Sequence, residues 1–157
     1  MAWGGPNTAQ VIAPPPLLFL GAAALGVAAD QPLGLRPLGA RGGRVALGAA
    51  LFATGAGLGL WTVHLFKRAG TNVVPDKPTT ALVTSGPFRR SRNPGYICQA
   101  LMYLGVVAAF GSTIGLVLFG PLIALLNARV IAREEAYLER LFGDDYRRYR
   151  AAVPRWL

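Results

Sequence analysis

The sequence predicts an all-α fold, a polytopic membrane helical bundle. About four transmembrane helices, a helical hairpin and a cytoplasmic C-terminal helix are expected. Three observations carry this. Hydrophobic residues make up 53% of the 157 residues, only 15% are charged, and mean hydropathy is +0.41. A soluble domain holds about 25% charged residues. Two long runs, 45–66 and 93–128, contain no formal charge. The basic residues are confined to the segments between such runs, as topology signals are. The net charge of +9 therefore does not call for nucleic acid. The length suits one domain spanning 1–157.

The elements follow in chain order. The first 16 residues, MAWGGPNTAQVIAPPP, lack the basic region that opens a secretory signal, so the segment after them reads as retained structure. Prolines 14–16 suit the first positions of a helix. The apolar stretch 17–29 is shorter than the roughly 20 residues a span needs. Together with 11–16 it reaches that length, giving a first helix at about 14–29. A Gly/Pro-rich loop follows. Residues 45–66 make a transmembrane helix of 22 residues. Its Gly48, Gly55, Gly57 and Gly59 argue for close helix packing. The run GAGLG at 55–59 is no nucleotide loop, because no strand precedes it. As one helix, 93–128 would be about 54 Å long against a hydrocarbon core of about 30 Å. The FGS at 110–112 breaks it into helices 94–110 and 112–128. Gly105, Gly111 and Gly115 would let these two approach as a tight hairpin. Residues 129–157 are amphipathic, with Tyr137, Leu138, Leu141 and Phe142 at helical spacing and a stop at Gly143.

With four spans, the loop 67–92 and the tail share a side. That side holds thirteen basic residues against three opposite, which makes it cytoplasmic. The loop contains a polar cassette, TSGPFRRSRNPGY at 84–96, unlike the apolar runs around it. Asn93 can cap the next helix, with Pro94 at its first position. One reading is then a well-capped membrane helix with positive flanks. The tail carries Arg129, Arg133 and Glu134 where the fourth helix emerges. They form either an exposed charge network worth a few tenths of a kcal/mol per pair or the lining of a cavity. His64 is the only histidine and Cys98 the only cysteine, so no metal-ligand spacing arises. His64, beside Trp61, orients a substrate or bonds a neighbouring helix. Cys98 reads as packing.

GTNVVPDKPTTALVTSGPFRRSRNPGY, followed after the hairpin by REEAYLERLFGDDYRRYRAAVPRW, resembles the isoprenylcysteine carboxyl methyltransferase family. That family's wider group includes phospholipid methyltransferases. The resemblance covers 70–156 and implies an all-helical membrane enzyme using S-adenosylmethionine, with S-adenosylhomocysteine as product. It implies cofactor contacts at Thr80, Ala81, Leu82 and Val83, at Phe88, at Asn93, Pro94, Gly95 and Tyr96, and at Glu134. Asn93 stands where the family has histidine, offering a donor and an acceptor but no base near neutral pH. The family's substrate-facing arginine falls on Val130, so Arg129 or Arg133 would take its place. Catalytic roles are thus expected of Arg129, Arg133 and Glu134, and substrate contacts of Trp61, His64 and Arg129. The expected substrate is a lipophilic small molecule with a carboxylate, amine or thiol. Membrane lipid is the other expected partner, and the small-residue faces allow a monomer or a homodimer. The expected location is the bacterial inner membrane, with the site facing the cytoplasm. The alternative is a non-enzymatic module whose basic face binds anionic lipid or a protein.

Overall fold

The computed structural model describes residues 13–72 and 78–157. Val11, Ile12 and the loop residue Lys77, which figure in the expectations above, lie outside the described residues. The described residues form α1 Pro15–Asp30, α2 Arg41–Arg68, α3 Pro94–Phe110, α4 Thr113–Leu126, α5 Ala132–Phe142 and α6 Asp144–Ala152. No strand occurs among them. A 3-10 turn at Gly86–Arg89 precedes α3, and a π-helical turn at Asn127–Ile131 joins α4 to α5.

Local chemistry sets the helix ends. Proline occupies the first turn of α1 and of α3, where a missing N–H costs nothing. Gly111 ends α3 in the left-handed region at φ 66°, its N–H bonded to the Ala108 and Val107 carbonyls. Ser112 then opens α4, its Oγ accepting from Gly115 N at 2.9 Å. Two helical stretches, Arg41–Arg68 and Thr113–Phe142, are long and apolar enough to cross a membrane, while α1 and α3 are shorter apolar helices. Leu17, Leu20, Leu25, Leu47, Leu60 and Val117 all face outward. An outer surface of this kind suits lipid, with the backbone satisfied inside each helix.

α3 and α4 are joined through Gly111 and Ser112, and a Cβ on Gly115 would sit 2.8 Å from Val107 Cγ2 of α3, but the closest backbone approaches of these two helices are to other partners. α2 packs along α3, and α1 packs on α4 and α3. The glycines show why. A Cβ on Gly105 would sit 2.8 Å from the Gly48 carbonyl, and one on Gly26 would sit 2.5 Å from Gly115 Cα. Small residues thus let α2 meet α3, and α1 meet α4, backbone to backbone. Gly57, by contrast, faces open space. Between α3 and α4 the contact is made by side chains. The Tyr103 ring stacks on Phe119 at 5.6 Å, and its hydroxyl donates to the Gly115 carbonyl at 2.6 Å.

The other difference lies after residue 126. The helix does not stop near 128. The π-helical turn carries it on to Phe142. One extra residue in a turn rotates everything downstream by roughly 100°. Val130 and Ile131 are thereby fully buried, and Glu134 and Glu135 turn towards the bundle. The topology brings the start of α1, the end of α2, the start of α3 and the α5 segment to one end of the molecule, around one cavity.

Candidate functional site

The cavity has a volume of about 480 Å³. That lies within the range of about 300–1,000 Å³ common for small-molecule sites. Pro14, Pro15 and Pro16 of the α1 entry form one part of its wall. Gly59, Thr62, Val63 and Phe66 of α2 form another. The loop contributes Ala81, Leu82, Val83 and Phe88. The start of α3 contributes Arg92, Asn93, Pro94, Gly95, Tyr96, Cys98 and Gln99. Glu134, Glu135, Tyr137, Leu138, Tyr146 and Tyr149 close the side opposite α2.

The cassette is built around Pro87. Ser91 N and Arg90 N both donate to its carbonyl, at 3.2 and 3.0 Å, turning the chain so that Phe88 points inward. Phe88 is buried and meets Phe66 edge-on at 5.3 Å. Its carbonyl accepts from the Tyr149 hydroxyl at 2.7 Å, which ties α6 to the loop. Earlier in the loop, Thr79 N donates to the Tyr137 hydroxyl at 3.1 Å, which ties the loop to α5.

Asn93 does not cap α3 with its side chain, as its type and position suggest. Ser91 Oγ takes the Asn93 N–H at 3.0 Å, and Asn93 Nδ2 donates to the Arg155 carbonyl at 2.9 Å. The same carbonyl accepts from Ser91 Oγ at 3.1 Å, and Arg92 N donates to the Pro154 carbonyl at 2.9 Å. The tail is thus a strap laid over the cassette. Glu135 fastens it, receiving Arg155 on both oxygens at 3.0 and 2.6 Å and Arg92 Nη2 at 3.0 Å. Trp156 Nε1 adds a bond to Asn127 Oδ1 at 3.1 Å, anchoring the strap to the π-helical turn. Glu135 raises the Arg155 pKa through this pairing. Beneath the strap, burial first and the Glu135 charge second push the Tyr146 hydroxyl up to about 12. Tyr149 is raised further, by burial and then by Tyr146. Both rings stay protonated across the physiological range.

The adjacent Glu134 behaves differently. Within the described wall of the cavity it is bonded by the Tyr96 hydroxyl, which donates to Oε1 at 2.7 Å. Tyr96 is buried. A carboxylate has room for several more donors than one phenol supplies. Arg92 is similarly incomplete: its side chain is only 10% exposed, and Nε and Nη1 have no hydrogen-bond partner among the described residues.

Of the residues expected from sequence to hold a cofactor, Ala81, Leu82, Val83, Phe88, Asn93, Pro94, Gly95, Tyr96 and Glu134 line the cavity. Thr80 does not; its hydroxyl donates to the Gly70 carbonyl at 2.9 Å. Trp61, His64 and Arg129 are exposed and lie outside the lining, and half-buried Arg133 lies outside it too. Arg92, Gln99, Glu135, Tyr146 and Tyr149 also line the cavity, and none of them was among the site residues expected from sequence. For Arg92 and Glu135 a signal existed, since each is a charge at the edge of an apolar run. Gln99 had the same signal in weaker form, as a lone polar side chain one turn after Tyr96.

Residues 43–145 match the phospholipid methyltransferase family. The chain belongs to that family. Over 73 residues it is 36% identical to the protein-S-isoprenylcysteine O-methyltransferase of Schizosaccharomyces pombe, covering 46% of this chain and 31% of that relative. It is 42% identical over 65 residues to an uncharacterized protein of Haemophilus influenzae, covering 40% of this chain and 98% of the relative. The chain therefore spans under a third of the yeast relative and nearly all of the bacterial one. No solved structure matches it significantly. Membership of the phospholipid methyltransferase family and the two long apolar helices together mark a membrane protein.

Proposed function

We propose that this protein transfers a methyl group from S-adenosylmethionine to a lipophilic small molecule, at a site on the cytoplasmic side of the membrane. The observation that carries the reading is a carboxylate and a guanidinium, Glu134 and Arg92, in the wall of one family-matched cavity. Tyr96 is the described wall residue that bonds Glu134, and Arg92 keeps two unpartnered nitrogens. An amino-acid head needs such a pair: a carboxylate for its ammonium and a guanidinium for its carboxylate. The adenine needs an apolar slot, and Leu82, Val83 and Phe88 offer one. The residues present therefore fit the cofactor. When bound, it supplies an activated methyl on a sulfonium, displaced in line by the acceptor.

The chain's part is binding, alignment and exclusion of water. The Tyr96 hydroxyl fixes the orientation of the Glu134 carboxylate. Glu135 fixes Arg92 from the other side. Asn93 holds the strap through Arg155 and leaves its Oδ1 for a ligand. Tyr146 and Tyr149 of α6 line the cavity near the loop, and the apolar lining from α1 and α2 suits entry of a lipophilic acceptor on their side. Arg129, Arg133, Trp61 and His64 lie outside the proposed reaction centre.

The test is calorimetric titration with S-adenosylhomocysteine in detergent, wild type beside Glu134→Gln. Saturable binding that weakens about tenfold or more in the variant is expected, since a hydrogen bond to a charged group is worth about 1.5–3 kcal/mol. A folded wild type that binds nothing in detergent or in nanodiscs overturns the reading and favours the lipid- or protein-binding module.

A further inference from the structure

A second concavity, of about 530 Å³, lies on the outer side of the cassette. Leu58 and Trp61 line it from a different face of α2 than Gly59, Thr62, Val63 and Phe66, which line the first cavity. Among the described lining residues Pro94 alone belongs to both. The floor of this groove is apolar, made by Leu58, Trp61 and Ile97. Its rim is the cassette. Gly86 leans on the floor at φ +60°, where a Cβ would fall 2.8 Å from Leu65 Cδ1 and 3.2 Å from Trp61 Cζ2. The same turn that sends Phe88 into the first cavity sets Arg89 and Arg90 at the second.

The fold leaves the polar groups of this groove unused. Arg89 and Arg90 are exposed, and neither side chain makes a hydrogen bond or ion pair among the described residues. Trp61 is 52% exposed, and its indole N–H is unbonded there too. Arg92, by contrast, is turned inward to Glu135. No acidic side chain occurs among the described lining residues, so two cations stand over an apolar floor with no anion beside them. Depth fits this division. α2 is long and apolar enough to cross a membrane and ends at Arg68. Trp61 and Leu58 lie seven and ten residues before that end, about 10 and 15 Å down the helix axis. The arginines thus stand at headgroup level, and the floor descends from an indole at the boundary into hydrocarbon.

We propose that this groove binds one anionic phospholipid, its phosphate held by Arg89 and Arg90 and one acyl chain lying over Trp61, Leu58 and Ile97. A guanidinium presents paired N–H donors that match phosphate oxygens. The Trp61 N–H supplies a further donor to the phosphate or to an ester oxygen. A headgroup of net negative charge is preferred to a zwitterionic one, because an ammonium carried beside the phosphate would face two cations. This lipid is a resident of the outer groove, apart from the methyl acceptor of the first cavity. The inference rests on the chain being a membrane protein and stands whether or not the first cavity transfers a methyl group.

The experiment reconstitutes the full chain in bilayers of phosphatidylcholine with a minority of phosphatidylglycerol, with bromine on the acyl chains of one lipid or of the other. Bromine quenches tryptophan fluorescence at close range, and the quenching that disappears in Trp61→Phe reports the groove. Phosphatidylglycerol is expected to be favoured there by about tenfold or more, since each arginine near an anionic group contributes about fivefold. Arg89→Gln with Arg90→Gln should bring the ratio to near one. Arg89→Lys with Arg90→Lys keeps the charge and should keep most of the preference. Arg129→Gln with Arg140→Gln removes the same charge from exposed positions outside the groove and should leave the ratio unchanged. A wild-type ratio near one, or one that survives Arg89→Gln with Arg90→Gln, overturns the proposal. So does an equal fall in the Arg129 and Arg140 variant, which would mark a diffuse surface charge, or loss of the preference in the folded lysine variant.

Discussion

The two ends of the bundle use similar polar groups to opposite effect. At the far end Asp30 Oδ1 accepts from Ile114 N at 3.0 Å, Ser112 Oγ accepts from Gly115 N, and Leu38 N donates to the Gly111 carbonyl at 2.9 Å. There a carboxylate and a hydroxyl cap one helix, and the loop from α1 to α2 is sewn to the turn between α3 and α4. At the cavity end Glu134 and Arg92 each keep an open valence. The far end spends most of its polar groups on stability, although Arg44 Nε is buried there with no partner among the described residues. The cavity end holds some of them in reserve, and only because Glu135 is spent in full on Arg92 and Arg155. Neighbouring glutamates thus divide the work of fastening and of binding.

That contrast can be broken at its fastening. Glu135→Ala should have the largest effect. It removes the partner of the nearly buried Arg92 and frees the strap, so a loss of about 3–5 kcal/mol is expected, as for other buried pairs broken from one side. Thermal unfolding in detergent reads it, and a wild-type midpoint would sink the assignment. Gly26→Ala comes next, because its Cβ would fall 2.5 Å from Gly115 Cα and force α1 from α4. Overpacking of this kind costs about 1–3 kcal/mol, read as a lower unfolding midpoint in the same detergent.

Ser112→Ala sharpens the contrast from the other end. Loss of the α4 cap should cost about 1 kcal/mol and leave S-adenosylhomocysteine affinity unchanged. A matching loss of affinity would show that the two ends are not independent. The last effect appears only at alkaline pH. The Tyr146 hydroxyl is raised from an ordinary value near 10 to about 12 in the folded protein. Its contribution is complete below pH 10 and is lost as pH rises from about 10 to about 12. The unfolding midpoint should fall across that window, and Tyr146→Phe should flatten the fall.

Much of this architecture was legible in the sequence because its signals are local. Pro94 opens α3, FGS breaks the long apolar run and Gly143 stops α5; each acts on its own few residues. Tyr96 was expected through the resemblance that RNPGY carries, and Glu134 both through that resemblance and as an ionisable group where a membrane helix ends. Gln99 stands out in the sequence only as a lone polar side chain, and its bond to Gly95 and its unpartnered oxygen are revealed by packing alone. The strap was illegible for a different reason. Asn93 and Arg155 are 62 positions apart, and no periodicity links them. The π-helical turn was hidden because NARVI has nothing in its composition that a regular helix would refuse. Its extra residue breaks the register, so a spacing of four does not carry unchanged across residues 127–131.

The strap also makes the cassette depend on chain far from it. Ser91 and Asn93 both hold the Arg155 carbonyl, and Tyr149 holds Phe88 separately, so a chain cut before residue 153 should keep its helices and the α6 anchor while the cassette around Asn93 loosens.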